Sequence, residues 1–427
     1  MRRSVQALAL ALTIGAVARP ARAEVVLDLI PDLAVGVNDN KVANTPSVRD
    51  EFVTAGVGSQ LRYTGARVTH TLGNRLSFSH FFQGRGTDTT TDALTWLSTW
   101  DPLAVLQVRL GAGAAVSRVS GVDPGDLTLG TMGGVAAGNS KYLAINANEA
   151  VRYQPSPRFA LLESVTAGRV DFLPHDDALP TTDQVAGQLR AERLAALDTL
   201  YVDARLSDSY ATATPLNAGT FAQGHNLVAQ VLFGWRRILS PFWTSELQAG
   251  PLLVFRPGGG SILSFAGLAS ISYQGTAQGT PWFATLNVSR SPAPNLFIGQ
   301  ATITDQVLLR LALPLDRRQT LFVTGFAAYL YARQVGTDLE GTNTLDRLFD
   351  QITSGAALTA RISQHPFWAA LAYTFVDQRG STYTVQRGTM PPQVVRLDDL
   401  LRRTLLLSAG GAFAWGPGTP RFFGGAP

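Results

Sequence analysis

The stretch "RRTLLLSAGGAFAWGPGTPRFFGGAP", Arg402 to Pro427, decides the fold. Leu405, Leu407, Ala409, Gly411, Phe413 and Trp415 fall on every second residue, and then the chain runs out in Gly and Pro. A period of two is a strand with one apolar face. The same pattern recurs upstream. "FVTAGVGSQLRY" sets Val53, Ala55, Val57, Leu61 and Tyr63 against Thr54, Gln60 and Arg62. "PLAVLQVRLGAG" sets Leu106, Val108 and Leu110 against Gln107 and Arg109, and "NLVAQVLFGWRR" sets Leu227, Val231, Phe233 and Trp235 against Gln230 and Arg236. In "YLAINANEAVRY" the same alternation holds except at Glu149, which interrupts the apolar face.

The first residues indicate export. Arg2 and Arg3 precede an apolar run from Val5 to Val17, and "ARA" at Ala21 to Ala23 has the form of an A-x-A cleavage site, so Glu24 is the expected mature N-terminus. Arg2, Arg3, Arg19 and Arg22 lie in the discarded segment, and they account for the whole formal charge of +4. A mature chain near neutrality removes the main argument for a nucleic-acid partner. There is no Cys, hence no disulfide and no thiol chemistry. The chain is 45% hydrophobic and only 15% charged, yet no later stretch is long and apolar enough for a membrane helix. That balance fits strands whose outer faces meet lipid.

Connections alternate between short turns, such as "YTGA", "PSP" and "LSP", and longer polar segments, such as "GRGTDTTTD" and "VDPGDLTLGTMGGVAAGNS". Tight turns at one end and large loops at the other describe an up-and-down antiparallel transmembrane β-barrel. The all-β reading gives about eighteen strands, within about two, with short periplasmic turns and long extracellular loops. Residues 1–23 are then a signal peptide, 24–416 the barrel and 417–427 a periplasmic tail, with both termini on the periplasmic side of the bacterial outer membrane. An open sheet edge is not viable in hydrocarbon, so the sheet must close on itself. Aromatics follow several turns (Phe159, Phe242-Trp243, Trp282-Phe283, Phe367-Trp368), as an interfacial girdle against lipid and lipopolysaccharide requires.

No catalytic constellation emerges, and the chain reads as a non-enzyme without cofactor or metal. His70 and His80 with Asn74 are the nearest approach to a hydrolytic set. The pairs Asp123/Asp126 and Asp176/Asp177 are better read as solvated loop acids than as cation ligands. The informative residues are those expected to face the lumen: Arg62, Arg109, Arg152, Glu163, Arg190, Glu192, Arg205, Glu246, Arg310 and Arg361, with Arg169, Gln188, Asp203 and Gln248 among them. Arg makes fixed bidentate pairs and hydrogen bonds. The set can brace the wall, or line a polar track for sugar chains or small anions.

The last strand, Ser408-x-Gly410-x-x-Phe413-x-Trp415, resembles the signal by which outer-membrane barrels are recognised by the barrel assembly machinery. "LIPDLAVGVNDN" (Leu29–Asn40), "LSPFW" and "SQHPFW" resemble phrases of the roughly eighteen-stranded barrels of myxobacteria. Some of those are associated with exopolysaccharide secretion, so the resemblance implies a passive exit for polysaccharide cargo, working with a periplasmic polysaccharide-export protein. No nucleotide-binding loop is present to supply energy. Two other functions stay open. A diffusion porin for small polar solutes would carry an inward-folded loop, with Gly121–Lys141 as the candidate. A structural or adhesive surface barrel would have a plugged lumen.

Overall fold

The computed structural model describes residues 24–42, 48–83, 88–119, 140–173, 181–211, 224–255, 261–277, 280–295, 300–316, 320–337, 343–361, 366–380, 382–387, 390–396 and 400–415. The signal segment, the C-terminal tail and most of Gly121–Lys141 lie outside them, as do Asp123, Asp126, Asp176 and Asp177. The elements among them are all strands. They are β1 (Glu24–Val42), β2 (Val48–Thr64), β3 (Val68–Phe81), β4 (Thr89–Leu103), β5 (Leu106–Val119), β6 (Ser140–Ser156), β7 (Phe159–Leu173), β8 (Thr182–Leu194), β9 (Asp198–Ala211) and β10 (Gly224–Ile238). They continue with β11 (Trp243–Phe255), β12 (Ser261–Ala277), β13 (Thr280–Asn295), β14 (Gln300–Pro314), β15 (Leu321–Thr337), β16 (Asn343–Arg361) and β17 (Phe367–Gly380). A hairpin, β18 (Thr382–Arg387) with β19 (Met390–Arg396), precedes β20 (Leu400–Gly411) and β21 (Phe413–Trp415).

From β1 to β17 each strand pairs antiparallel with the next, β17 pairs with β20, and β1 pairs with β2 on one side and with β20 and β21 on the other. β20 and β21 form one line interrupted at Ala412, so the closed barrel has eighteen strands. That number agrees with the about eighteen that the alternation predicts. The hairpin β18–β19 is an addition that the alternation did not reveal. It forms a separate two-stranded sheet, outside the barrel ladder.

Cross-strand partners share a face, so the register sorts the side chains. Leu407 pairs with Val35 and Leu371, and Leu405 with Val37 and Tyr373. These point outward. The outer face is unusually bare for a water-soluble protein: Leu263 is 74% exposed, Phe233 62% and Leu407 59%. Side chains of this kind left uncovered all round a closed sheet identify lipid as the outer solvent. Phe413 continues the outward row and packs against Phe367 with ring centroids 5.7 Å apart. Trp243, Tyr273 and Trp282 form a second run of the aromatic belt near the short turns, with centroid spacings of 4.7 and 4.3 Å.

Two sequence expectations need correction. Part of what reads as long polar loop is strand: Asn38 pairs with Asp50, and the β15–β16 ladder runs to Thr337↔Asn343. Backbone pairing needs no apolar alternation once both faces are in water. The aromatic pairs also do not all lie in the girdle. Alternation sends Trp282 and Phe367 outward, while Phe283 pairs with Ala312 and Trp368 with Arg361 on the inner face.

Gly36 shows how tightly the closing seam is built. A Cβ there would stand 2.4 Å from the Phe52 ring and 2.9 Å from the Leu405 carbonyl oxygen. Gly36→Val is expected to cost about 1–3 kcal/mol by overpacking; a lowered urea midpoint for the detergent-folded barrel would register it, and an unchanged midpoint would contradict this packing.

Candidate functional site in the barrel lumen

The inner face of β8 to β11 carries one connected polar network, built on Asp203. Asp203 is fully buried, and an uncompensated carboxylate there would be costly. It accepts bonds from Arg190 Nη2 and Arg205 Nη2, each at 2.7 Å, and from Gln188 Nε2 at 2.8 Å. The strand period explains the set. Arg190 lies directly across the ladder from Asp203, Gln188 lies across from Arg205, and Asp203 and Arg205 are two apart on one strand.

Tyr201, two residues before Asp203, extends the network around the wall. Its hydroxyl donates to Glu246 Oε1 at 2.6 Å, although Glu246 belongs to β11, two strands away. Gly234 makes this reach possible. It sits opposite Tyr201 on the intervening strand, where a Cβ would lie 2.0 Å from the tyrosine ring. Arg236 faces Glu246 across the ladder and donates to it at 3.2 Å. The Arg190 guanidinium lies 4.5 Å above the Tyr201 ring, and Glu192 stands 3.8 Å from both Arg152 and Arg190. Four guanidiniums therefore interleave with three carboxylates, and the signs alternate rather than separate into opposed patches.

Of the remaining expected lumen residues, Arg62, Arg109 and Arg310 occupy inner positions and are exposed, while Arg361 stacks 4.7 Å over the Phe322 ring. Arg62, Arg361, Phe322 and Trp368 all lie toward the short-turn end, where the lumen has a basic and aromatic mouth. Glu163 corrects the sequence reading. It pairs with Val151 and Leu189, so it stands on the outer face with Glu149, which pairs with Val165. Arg169 also faces out, 3.7 Å from Asp183. The inner face of β7 is instead Leu162, Ser164, Thr166 and Gly168. His70, Asn74 and His80 do not assemble: His70 is stacked between Tyr63 and Trp96, Asn74 donates to Asp92, and His80 is bonded to Asp88. The sequence reading missed Tyr201 and Gly234. "YVDAR" does place Tyr201, Asp203 and Arg205 on one face, but nothing local tells that Gly234 lies under the ring.

The loop end of the lumen is narrowed from one side. β12 pairs with β13 only up to Gly267↔Arg290, while β13 and β14 stay paired to Asn295↔Gln300. The freed top of the β13–β14 hairpin tucks inside the wall. β14 comes within 8 Å of β10, four strands away, and Ile303 is fully buried in an apolar cluster with inner-face Val228, Leu232, Leu252, Val254, Ile262 and Ala266. Ile303 belongs to the outer row of β14 with Val307, so the outer side of the tucked hairpin packs on the inner side of β10–β12.

The comparisons bear on the architecture alone. No protein-family model and no curated protein sequence matches the chain. Among solved structures, OccAB3 of Acinetobacter baumannii is similar over 92% of this chain and 100% of its own, at 11% identity and a TM-score of 0.43. OpdO of Pseudomonas aeruginosa aligns over 91% and 97% at 11% identity and 0.42. The siderophore receptor PirA from Pseudomonas aeruginosa aligns over 90% and 80% at 11% identity and 0.40.

Two outcomes follow from this geometry. Asp203→Ala leaves Arg190 and Arg205 without their shared acceptor and is expected to cost about 3 kcal/mol, measured by denaturant unfolding in micelles; a cost near zero would mean the network does not brace the wall. Ile303→Asp puts a charge into the apolar cluster and should free the tucked hairpin. Single-channel conductance in planar bilayers is expected to rise, and unchanged conductance would mean the hairpin does not narrow the path.

Proposed function

We propose that the chain is an outer-membrane conduit through which a polysaccharide leaves the cell, handed over by a periplasmic export protein at the short-turn end. The observation that supports this best is the internal pairing of the lumen charges. Arg152, Arg190, Arg205 and Arg236 are engaged with Glu192, Asp203 and Glu246 along the wall. Interleaved charges produce little net field across the path. What they offer a passing molecule is hydrogen-bonding edges, and Gln188 and Gln248 add amides beside them. The Phe322 and Trp368 rings near the proposed periplasmic mouth add flat apolar surfaces. Fixed donors and rings suit a hydroxyl-rich chain with apolar sugar faces. Export of the chain by the cleaved signal, and assembly through the Ser408–Trp415 strand, complete the reading. Transport is passive, driven by whatever delivers the cargo.

The tucked β13–β14 hairpin favours a second reading, a diffusion porin for small polar solutes. An element folded into the lumen sets a size limit that an extended polymer must thread. The two readings separate on deletion of the gene. Export predicts at least a tenfold loss of surface polysaccharide, with retention in the periplasm and unchanged entry of small dyes. Unchanged surface polysaccharide with slower dye entry would replace the export reading with the porin one.

A further inference from the structure

Two carboxylates stand on the lipid-facing wall, inside its apolar band. Glu149 pairs with Leu110 and Val165, and Glu163 with Val151 and Leu189, so all of these side chains point outward. In the outward row of β6, Val151 and Tyr153 lie on the short-turn side of Glu149, and Ala147 and Ile145 on the loop side. Both carboxylates are exposed, and neither has a hydrogen bond or ion pair among the described residues. A lipid tail offers such a group nothing, and an ionisable residue facing hydrocarbon is destabilising according to its depth. On β9 to β11 the corresponding outward residues are Val202, Ala204, Val231, Phe233, Leu247 and Ala249, all apolar.

On the other side of β5 the same wall carries hydrogen-bond donors. Asn74 faces out from β3, across from Leu94, and donates to Asp92 through an amide that has a second proton to give. Trp96 faces out from β4, across from Ala112, and its indole N–H has no acceptor among the described residues. Between the donor strands and the acceptor strands, β5 turns Ala112 and Ala114 outward, paired with Ala147 and Ile145. Depth can be counted from the short-turn ends of the strands. Trp96 is seven residues from Leu103, Glu149 is seven from Ser156, and Ala112 is six from Leu106. The three lie at one level.

We propose that this sector, centred on the outer face of β5, is the contact between two copies of the chain in the membrane. Two copies inserted in the same sense and sharing one patch are related by a two-fold axis along the membrane normal. An axis at Ala112 sets β4 of each copy against β6 of the other. Trp96 of one copy then stands at the level of Glu149 of the other, twice over, and its N–H supplies the donor that lipid lacks. An axis on β6 or β7 would instead bring carboxylates together. The alanines on the axis let the two walls approach closely, as small residues do at interfaces within membranes. Trp is also a side chain that commonly dominates protein contacts. Each barrel keeps its own lumen, so the pairing is independent of what passes through it.

The test uses the mature chain, folded and reconstituted into liposomes of phosphatidylethanolamine and phosphatidylglycerol. The chain has no Cys, so one introduced thiol is a clean probe. A short bismaleimide is expected to convert most of Ala112→Cys into a covalent dimer, and to leave Ala249→Cys, outward on β11, at background. Native mass spectrometry in mild detergent should show two chains per particle. Glu149→Leu and Trp96→Ala should each raise the dimer dissociation constant about tenfold, the loss of one charge-assisted hydrogen bond at each end of the contact. The urea midpoint of the monomeric Glu149→Leu barrel should not fall, which separates lost pairing from misfolding. Single-chain particles, trimers, equal cross-linking at both positions, or a dissociation constant indifferent to Glu149→Leu would each overturn the proposal. None of these outcomes bears on surface polysaccharide, the measure of the conduit reading, so the two fail separately.

Discussion

Everything in this molecule depends on one constraint: within hydrocarbon, every backbone N–H and C=O needs a partner inside the protein. The pairing of β1 with both β2 and the β20–β21 line meets it by closing the sheet on itself. Closure has further effects. It accounts for the even strand number and puts Glu24 and Trp415 at the same end. It also ties the chain together without a single cysteine. Local defects remain tolerable because the rest of the ladder holds register. Pro251, which lacks an N–H, interrupts the β10–β11 pairing, and the ladder resumes in step on either side.

The same geometry produces the lumen. With one face of each strand committed to lipid, the polar residues have only the interior to occupy, and there they meet one another. Asp203, Glu246 and Glu192 are held by arginines placed at matching positions on neighbouring strands. The absence of a side chain at Gly234 matters as much as any charge, because it lets Tyr201 link strands that do not touch. The polar wall is therefore a consequence of register first and of residue type second. A slip of one position would turn the whole network out into lipid.

That dependence explains what the sequence reveals and what it hides. Alternation is a local property, and wherever one face is uniformly apolar, as in Leu405-x-Leu407 or Val231-x-Phe233-x-Trp235, the strand and its sidedness are legible. β7 fails because both faces are mixed: Leu161, Glu163, Val165 and Ala167 face out, against Leu162, Ser164 and Thr166 facing in. Its charged row suggests a lumenal face, but the register with β6 and β8 places that row outside. The hairpin β18–β19 stands outside the membrane ladder, so no lipid-facing row marks it. The tuck of β13–β14 was illegible for a different reason. Ile303 reads as one more outward apolar residue, and only the early end of the β12–β13 ladder shows that its strand has left the wall.

That shortened ladder has a mechanical consequence. Antiparallel strands drawn out of a membrane give way in hairpins, and the resistance of each step scales with the backbone bonds it must break together. Between β12 and β13 fewer rungs are shared than between β11 and β12, where pairing continues to Phe255↔Ser261. At the loop end the wall therefore has a slit between β12 and β13, and a force drawing out the β13–β14 hairpin from that side meets bonds on one flank only until it reaches Gly267↔Arg290.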